Sequence, residues 1–265
     1  MIIMEKYIQN PKKYFSNIKN LKYSYKNSQP FPHIVFDNFF KEDILQTILD
    51  SFPDNLDKTG IGFNSKTEKK FSCNDSNLFT EKTNELINFL NSFQFLNFLN
   101  DVTDIKEKLI PDPYLIGGGF HELREGGHLN VHADFNKHPS LRLDRRLNIL
   151  IYLNHNWDVK FGGNLELWDK NMQNRIKKIS PVFNRVVIFS TTADSYHGNP
   201  EKICHPENIS RKSIALYYYS NGRPLSEYKL GEHSTIFRRR PNTTEEDSNF
   251  EYKKIFKNIY LKKKI

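Results

Sequence analysis

The sequence predicts an α+β chain with a mainly β core, helical over its first hundred residues and built thereafter as a barrel or sandwich of short strands. Three observations carry this. Aromatic residues are abundant, 21 Phe and 13 Tyr in 265 residues, which suits a sheet interior better than a bundle of Leu and Ala helices. Apolar residues recur at helical spacing early in the chain, and in short extended runs after residue 114. Gly, Pro, Asn and Asp break the second part at intervals too short for helices.

The length suits one domain, expected over residues 31–225, with decorations at either end. Residues 1–30 are polar, Lys- and Asn-rich and poorly periodic, and are expected to lie on the surface as an extension. The globular part begins with a strand at Phe31-Pro32-His33-Ile34-Val35-Phe36. A helix over about 40–52 follows, with Ile44, Leu45, Ile48, Leu49 and Phe52 as its core stripe. A second helical stretch covers about 81–99, with Leu86, Ile87, Leu90, Phe93 and Phe98 among polar residues. Strands are expected at Tyr114–Leu123, His128–Asp134, Arg145–Leu153, Asn164–Trp168, Val182–Ser190, Ala193–His197 and Arg211–Ser220. Residues 226–265 read as a basic C-terminal segment with a charged helix from about 245, docking through Phe250, Ile255, Phe256 and Ile259.

The formal charge of +8 is concentrated in Arg238-Arg239-Arg240 and Lys262-Lys263-Lys264, and no nucleic-acid reader motif accompanies it, so a solvated tail is expected and nucleic acid is not. Cys73 and Cys204 make neither a disulfide framework nor a CxxC site. The N-terminus breaks into charge before a signal-peptide core could form, and no apolar run reaches the ~18 residues of a membrane span, so a cytoplasmic chain with no membrane partner is expected.

The chemistry is concentrated in His128-Leu129-Asn130-Val131-His132-Ala133-Asp134. On a strand the side-chain period of two points His132 and Asp134 to one face, imidazole beside carboxylate. A non-haem Fe(II) site of the oxygenase kind takes two histidines and one carboxylate and leaves positions open. His197 is the best candidate for the third ligand: it ends a strand 63 residues beyond Asp134, after the apolar run Arg185-Val186-Val187-Ile188-Phe189. An isolated HxD is a weak signal, more often a surface pair or a core His. Arg211 adds to it, because a guanidinium at the start of the buried run Ser213-Ile214-Ala215-Leu216-Tyr217 needs an anion. That anion is either a protein carboxylate or the distal carboxylate of a dicarboxylic ligand, for which Tyr152 is a plausible hydroxyl donor.

With these residues in place the sequence resembles the 2-oxoglutarate and Fe(II)-dependent oxygenase superfamily, in its prolyl-4-hydroxylase-like branch. The resemblance covers roughly residues 30–225 and rests on Pro32-His33-Ile34-Val35, His132-Ala133-Asp134, Tyr152-Leu153-Asn154, Gly162-Gly163-Asn164-Leu165-Glu166-Leu167, His197-Gly198 and Arg211-Lys212-Ser213, in that order. It implies a double-stranded β-helix of the jelly-roll, cupin-like kind with N-terminal helices on one face. His132, Asp134 and His197 are the implied iron ligands, Arg211 the 2-oxoglutarate anchor, Tyr152 its helper and Tyr217 a pocket residue. Fe(II) and 2-oxoglutarate are the implied cofactor and co-substrate, with ascorbate as an accessory reductant. The implied reaction hydroxylates an unactivated C–H of a peptidyl, proline-like or small-molecule substrate and releases succinate and CO2.

Two departures from that pattern stand out. The spacing of 14 residues from His197 to Arg211 is long, with Asn199–Ser210 as an extra loop, which leaves Lys212 as an alternative anchor. Phe120-His121 stands where these hydroxylases tend to carry Tyr, which places His121 near co-substrate or substrate. Arg145 and Arg146 are candidates for the pocket mouth or for solvated strand ends. The rival readings are a zinc or manganese cupin-like hydrolase or isomerase, which has no need of Arg211, and a non-catalytic metal-binding module. A nucleic-acid demethylase of the AlkB type is disfavoured, since the run after Arg211 lacks its RxNxxxR pattern.

Overall fold

Alternation along three strands decides how the sheet is used. In this computed structural model, which describes residues 2–207, 209–227 and 231–247, β7 (Asp144–Tyr152) pairs antiparallel with β10 (Arg185–Ser190) on one side and with β12 (Arg211–Ser220) on the other. Leu147, Ile149, Ile151, Val186, Ile188, Ile214, Leu216 and Tyr218 point outward into the larger apolar core. Their neighbours Tyr152, Val187 and Phe189 point inward and meet Leu165 and Leu167 across the interior. Both faces are buried, one by helices and one by the opposite wall, so these strands read as near-continuous apolar runs.

The full order is β1 (His33–Asp37), β10, β7, β12, β5 (Gly119–Leu123), β3 (Glu68–Cys73), β6 (His128–Ala133), β11 (His197–Asn199), β8 (Leu165–Trp168) and β9 (Arg175–Ile179). The short strands β2 (Ile61–Asn64), β4 (Ile110–Pro111) and β13 (Ile236–Phe237) add to β3, β12 and β6 respectively. The sheet curls, so that β6, β11 and β8 face the inner side of β7 and β12 across the cavity that they line together. The hairpin β2–β3, the edge strand β9 and β13 were not foreseen. Their sequences, IGFN, EKKFSC, RIKKI and IF, are too polar or too short to show a period.

Helices cover the outer face. α4 (Glu42–Asp50) buries Leu45 and Ile48, as its stripe requires. The expected helix over 81–99 is two helices, α6 (Glu81–Leu90) and α7 (Phe93–Thr103), because Ser92 starts a new one by accepting a hydrogen bond from the Phe95 amide at 3.4 Å. Phe93, expected in the core stripe, sits at the first position of α7 and is exposed. α5 (Leu56–Thr59) leads into β2.

The expectation of a surface extension over residues 1–30 is corrected. α1 (Ile2–Tyr7), α2 (Pro11–Ser16) and α3 (Ile18–Asn27) bury Met4, Tyr7, Ile8, Tyr14 and Tyr25 against the sheet-covering helices. Tyr14 packs on Phe36 and Phe39 with ring centroids 5.2 and 5.1 Å apart, and Lys22 and Lys26 each reach Asp104 at 3.0 Å. The apolar positions are few and widely spaced, so no periodic signal announced them, yet Tyr7, Tyr14 and Tyr25 are large rings that bury much area. The boundary at 225 also moves outward, since Ile236 and Phe237 pair with Ala133 and His132. The helix expected from about 245, with its docking residues, lies outside the described residues. Among the described residues no helix is long and apolar enough to cross a membrane.

Phe98 joins the N-terminal helices to the rest of the core, with ring centroids 5.7 Å from Phe15, 6.1 Å from Phe39 and 5.9 Å from Phe95. Phe98→Ala is expected to cost about 3–5 kcal/mol of stability, read from urea unfolding. Deleting residues 1–27 is expected to lower the melting temperature sharply, whereas a chain whose melting is unchanged by that deletion would mean these helices carry no core.

Candidate active site

β6 and β11 run antiparallel, with His132 directly opposite His197. Asp134 follows β6 by one residue and returns to the same face, as the strand period requires. The ligand-type atoms of His132, Asp134 and His197 all lie within 4.8 Å of one another. His132 Nε2 is 3.5 Å from Asp134 Oδ1, and His197 Nε2 is 3.3 Å from Asp134 Oδ2. The other nitrogen of each ring faces a backbone carbonyl: His132 Nδ1 is 2.8 Å from the oxygen of Asn130, and His197 Nδ1 is 2.9 Å from that of Ser195. A carbonyl oxygen only accepts, so each Nδ1 carries its proton and each Nε2 presents a lone pair towards Asp134.

The electrostatics favour that protonation pattern. Burial pushes the His132 imidazole below its ordinary pKa, and neighbouring His197 adds to this, so it stays neutral. Burial alone would raise the Asp134 carboxyl, but Arg145 first, and then the neighbouring imidazoles of His197 and His132, hold it well below the usual carboxylate range. Two imidazoles and one carboxylate converging from one face fit an octahedral divalent iron that keeps open positions.

Arg211 opens β12 on the inner face, 4% exposed. Its Nε donates to the carbonyl of Gly163 at 2.9 Å, its Nη1 lies 3.4 Å from Ser213 Oγ, and its guanidinium carbon is 4.9 Å from the centroid of the Tyr152 ring. Gly163 makes that approach possible: its φ is +64°, and a Cβ there would stand 2.4 Å from Ile203 Cδ1 and 2.9 Å from Arg211 Cδ. Among the described residues no Asp or Glu forms an ion pair with Arg211. The Tyr152 hydroxyl and the Asn199 Nδ2 are likewise buried without a hydrogen-bond partner. Lys212, the alternative anchor, faces the other way, with its ammonium 4.8 Å from the ring centroid of Phe52. The loop after β11 is docked rather than free: Gly126 donates to the Ile203 carbonyl at 2.9 Å and Ile203 to that of Gly127 at 3.0 Å.

Triad and Arg211 line one cavity of ≈ 230 Å³. Tyr217 lies in its wall, with its hydroxyl donated to the Gly117 carbonyl at 2.8 Å and its ring 3.5 Å beneath the Arg145 guanidinium. His121 lies there too: its Nε2 donates to the same carbonyl at 3.0 Å, and burial, together with nearby Lys70, pushes it down to about 3, so it is neutral. Arg145 and Arg146 separate by strand parity. Arg145 faces the cavity, while Arg146 points away to Glu107 at 2.8 Å and Ser220 at 3.0 Å. His138 is buried 3.4 Å from Asp112, outside the site. Sequence reasoning did not single out Asn148, Phe135, Asn199 or Phe237, all in the cavity wall. Asn148 alone carried a signal, an amide inside the apolar run Leu147–Tyr152 with the inward parity of Tyr152.

Residues 118–219 match the family model described as the 2OG-Fe(II) oxygenase superfamily. Over 79 residues, 28% of this chain, the sequence is 33% identical to prolyl 3-hydroxylase OGFOD1 of Mus musculus, and the chain spans 14% of the length of that relative. The fold is similar to that of a Pseudomonas putida prolyl-4-hydroxylase (TM-score 0.57, 11% identity, covering 77% of this chain and 100% of that one). It is equally similar to a prolyl hydroxylase from Trichoplax adhaerens solved with a peptide fragment of the hypoxia inducible factor oxygen degradation domain (TM-score 0.57, 17% identity, 79% of this chain and 93% of that one). These likenesses establish the curled sheet with flanking helices as a double-stranded β-helix. The matched segment holds His132, Asp134, His197 and Arg211, so the part of the chain that carries the site is similar to the 2OG-Fe(II) oxygenase superfamily.

Proposed function

We propose that this chain is an Fe(II)- and 2-oxoglutarate-dependent dioxygenase that hydroxylates a peptidyl, proline-like residue at an unactivated C–H. One observation carries the reading beyond a bare metal site: a buried Arg211 without a protein carboxylate, beside an orphaned Tyr152 hydroxyl, in the same cavity as the triad. A buried guanidinium is stable only with an anion, and a dicarboxylate that chelates the metal at one end and meets Arg211 at the other supplies it. A cupin-like hydrolase or isomerase, or a metal-binding module without chemistry, needs the triad and not this second site. Support for a prolyl substrate comes from the relatives named above, all prolyl hydroxylases by their names.

In this reading His132, Asp134 and His197 hold the metal, Arg211 with Tyr152 orients the co-substrate, and Tyr217 and His121 form the wall. Bound Fe(II) with 2-oxoglutarate supplies the oxidising chemistry, in which O2 contributes one atom to substrate and one to succinate while CO2 leaves. The protein's part is to coordinate, to orient and to keep water out of an interior lined by Leu150, Leu165 and Phe189.

His132→Ala, Asp134→Ala and His197→Ala are each expected to abolish both iron occupancy and succinate formation, in an assay containing ascorbate as reductant. Stoichiometric iron retained by the Asp134→Ala and His197→Ala proteins would sink the ligand assignment. Arg211→Ala is expected to weaken 2-oxoglutarate binding by about 2–3 kcal/mol while iron stays in place, with Lys212→Ala close to native in the same titration. Incubation with proline-containing peptides is expected to add the mass of one oxygen, and oxidation of small metabolites but of no peptide would overturn the substrate class.

His121 predicts a pH response. Its folded pKa, about 3, lies below its ordinary 6.5, so the neutral form it favours contributes stability that is complete above pH 6.5 and is lost as pH falls towards 3. Urea midpoints compared at neutral and acid pH are expected to drop less for His121→Gln than for the native chain. An equal drop in both would mean that this ring takes up a proton as readily in the folded chain as in the unfolded one.

A further inference from the structure

Arg145 is 1% exposed and takes no part in the apolar core, into which Leu147, Ile149 and Ile151 of the same strand pack. What it does instead is visible in its bonds. Its Nε and Nη2 both donate to Asn148 Oδ1, at 3.0 and 2.7 Å, and its Nη2 stands 3.2 Å from Asp134 Oδ2. Asn148 Nδ2 donates to the same Oδ2 at 2.7 Å. The three groups close a ring in which the guanidinium fixes the amide, and both fix one oxygen of the carboxylate. Tyr217 lies under the guanidinium at 3.5 Å and Phe135 at 4.4 Å, which holds it in the plane from which it can reach both partners. Behind it, Thr191 Oγ1 donates to the Arg145 carbonyl at 2.9 Å, as does the guanidinium of Arg223.

We propose that Arg145 and Asn148 are a clamp that positions Asp134 as a one-oxygen metal ligand. The proposal rests on the triad being the metal centre. The Asn148 amide donates to Oδ2 and the Arg145 guanidinium pairs with the same atom, so Oδ1 is the oxygen left for a metal and the carboxylate is held against turning to offer both. A break in strand parity makes the clamp possible: Arg145 and Asn148 are three apart and would face opposite sides of a regular strand, but the register shifts between Leu147, opposite Tyr218, and Arg145, opposite Tyr219, so that both reach the inner face. These are positioning residues. They touch Asp134, not the reacting atoms.

The alternative roles for Arg145 are a purely packing role and a purely electrostatic one, and they differ in sign. A cation beside the triad repels a divalent metal, so if charge were its only contribution, removing it would tighten metal binding. If it orients Asp134, removing it weakens binding in spite of the charge.

The test is Co(II) affinity by titration calorimetry on the full chain, with melting temperature recorded beside it. Asn148→Ala and Arg145→Gln are each expected to raise the Co(II) Kd by roughly ten- to hundredfold. Arg145→Lys, which keeps charge and bulk but not the two-pronged bond, is expected to do the same, and it carries the test if either other variant fails to fold. Folded variants whose Co(II) Kd stays within about twofold of native, whatever their melting temperature, would show packing alone and overturn the clamp. A tighter Kd for Arg145→Gln would show charge alone and overturn it too. If the native chain bound no Co(II), the metal centre itself would fall, and the clamp with it.

Discussion

The pleat of β7 and β12 is the constraint on which the rest depends. Each strand carries two vocabularies in alternation, Leu147-Ile149-Ile151 with Ile214-Leu216-Tyr218 on one face, and Arg145-Asn148-Tyr152 with Arg211-Ser213-Tyr217 on the other. A shift of register by one residue would send the aliphatic set into the cavity and the charged set into the helix-facing core, where unpaired polar groups are costly. Site and core are therefore specified by the same hydrogen-bonded ladder. The helices, including the three N-terminal ones, matter to the site because they cover the outer face and so hold the register.

The same economy appears in the triad. Register alone sets His132 opposite His197, and backbone carbonyls of Asn130 and Ser195, each two residues before its histidine, choose the tautomer. Each imidazole is thus aimed by the chain segment that carries it. Asp134 lies just past the end of β6, where no ladder restrains it. A carboxylate in that position needs side-chain partners to hold its orientation, and Arg145 and Asn148 are the ones within reach.

This difference also explains what was legible in the sequence. The triad and Arg211 could be read because their spacing follows from strand periodicity and because a charged residue in an apolar run is conspicuous. The inner strands could be read for the same reason, and Arg211–Ser220 matches its expected bounds. The N-terminal helices could not, because they bury a few rings rather than a stripe, and Tyr14 or Tyr25 among Lys and Asn shows no period. The hairpin Ile61–Cys73 and the strand Ile236–Phe237 are held by pairing to β5 and β6, an interaction of backbones that leaves little trace in side chains. Asn148 was visible as an amide out of place, but its partner across the cavity, Asp134, is fixed only by the fold.

Two buried arginines in the wall of the cavity differ in how their charge is met. Both cost free energy to bury, and both are held by an aromatic ring and by hydrogen bonds to neutral oxygens. Arg145 has its counter-charge inside the protein, in Asp134 at 3.2 Å. Arg211 has only Gly163, Ser213 and Tyr152, dipoles that orient a guanidinium without neutralising it. Of these two arginines, one meets its counter-charge within the protein and the other, among the described residues, does not. The unsatisfied one is the costlier to maintain, and an anion bound beside it would return the free energy that its burial consumes, which is the physical ground for reading Arg211 as a carboxylate anchor.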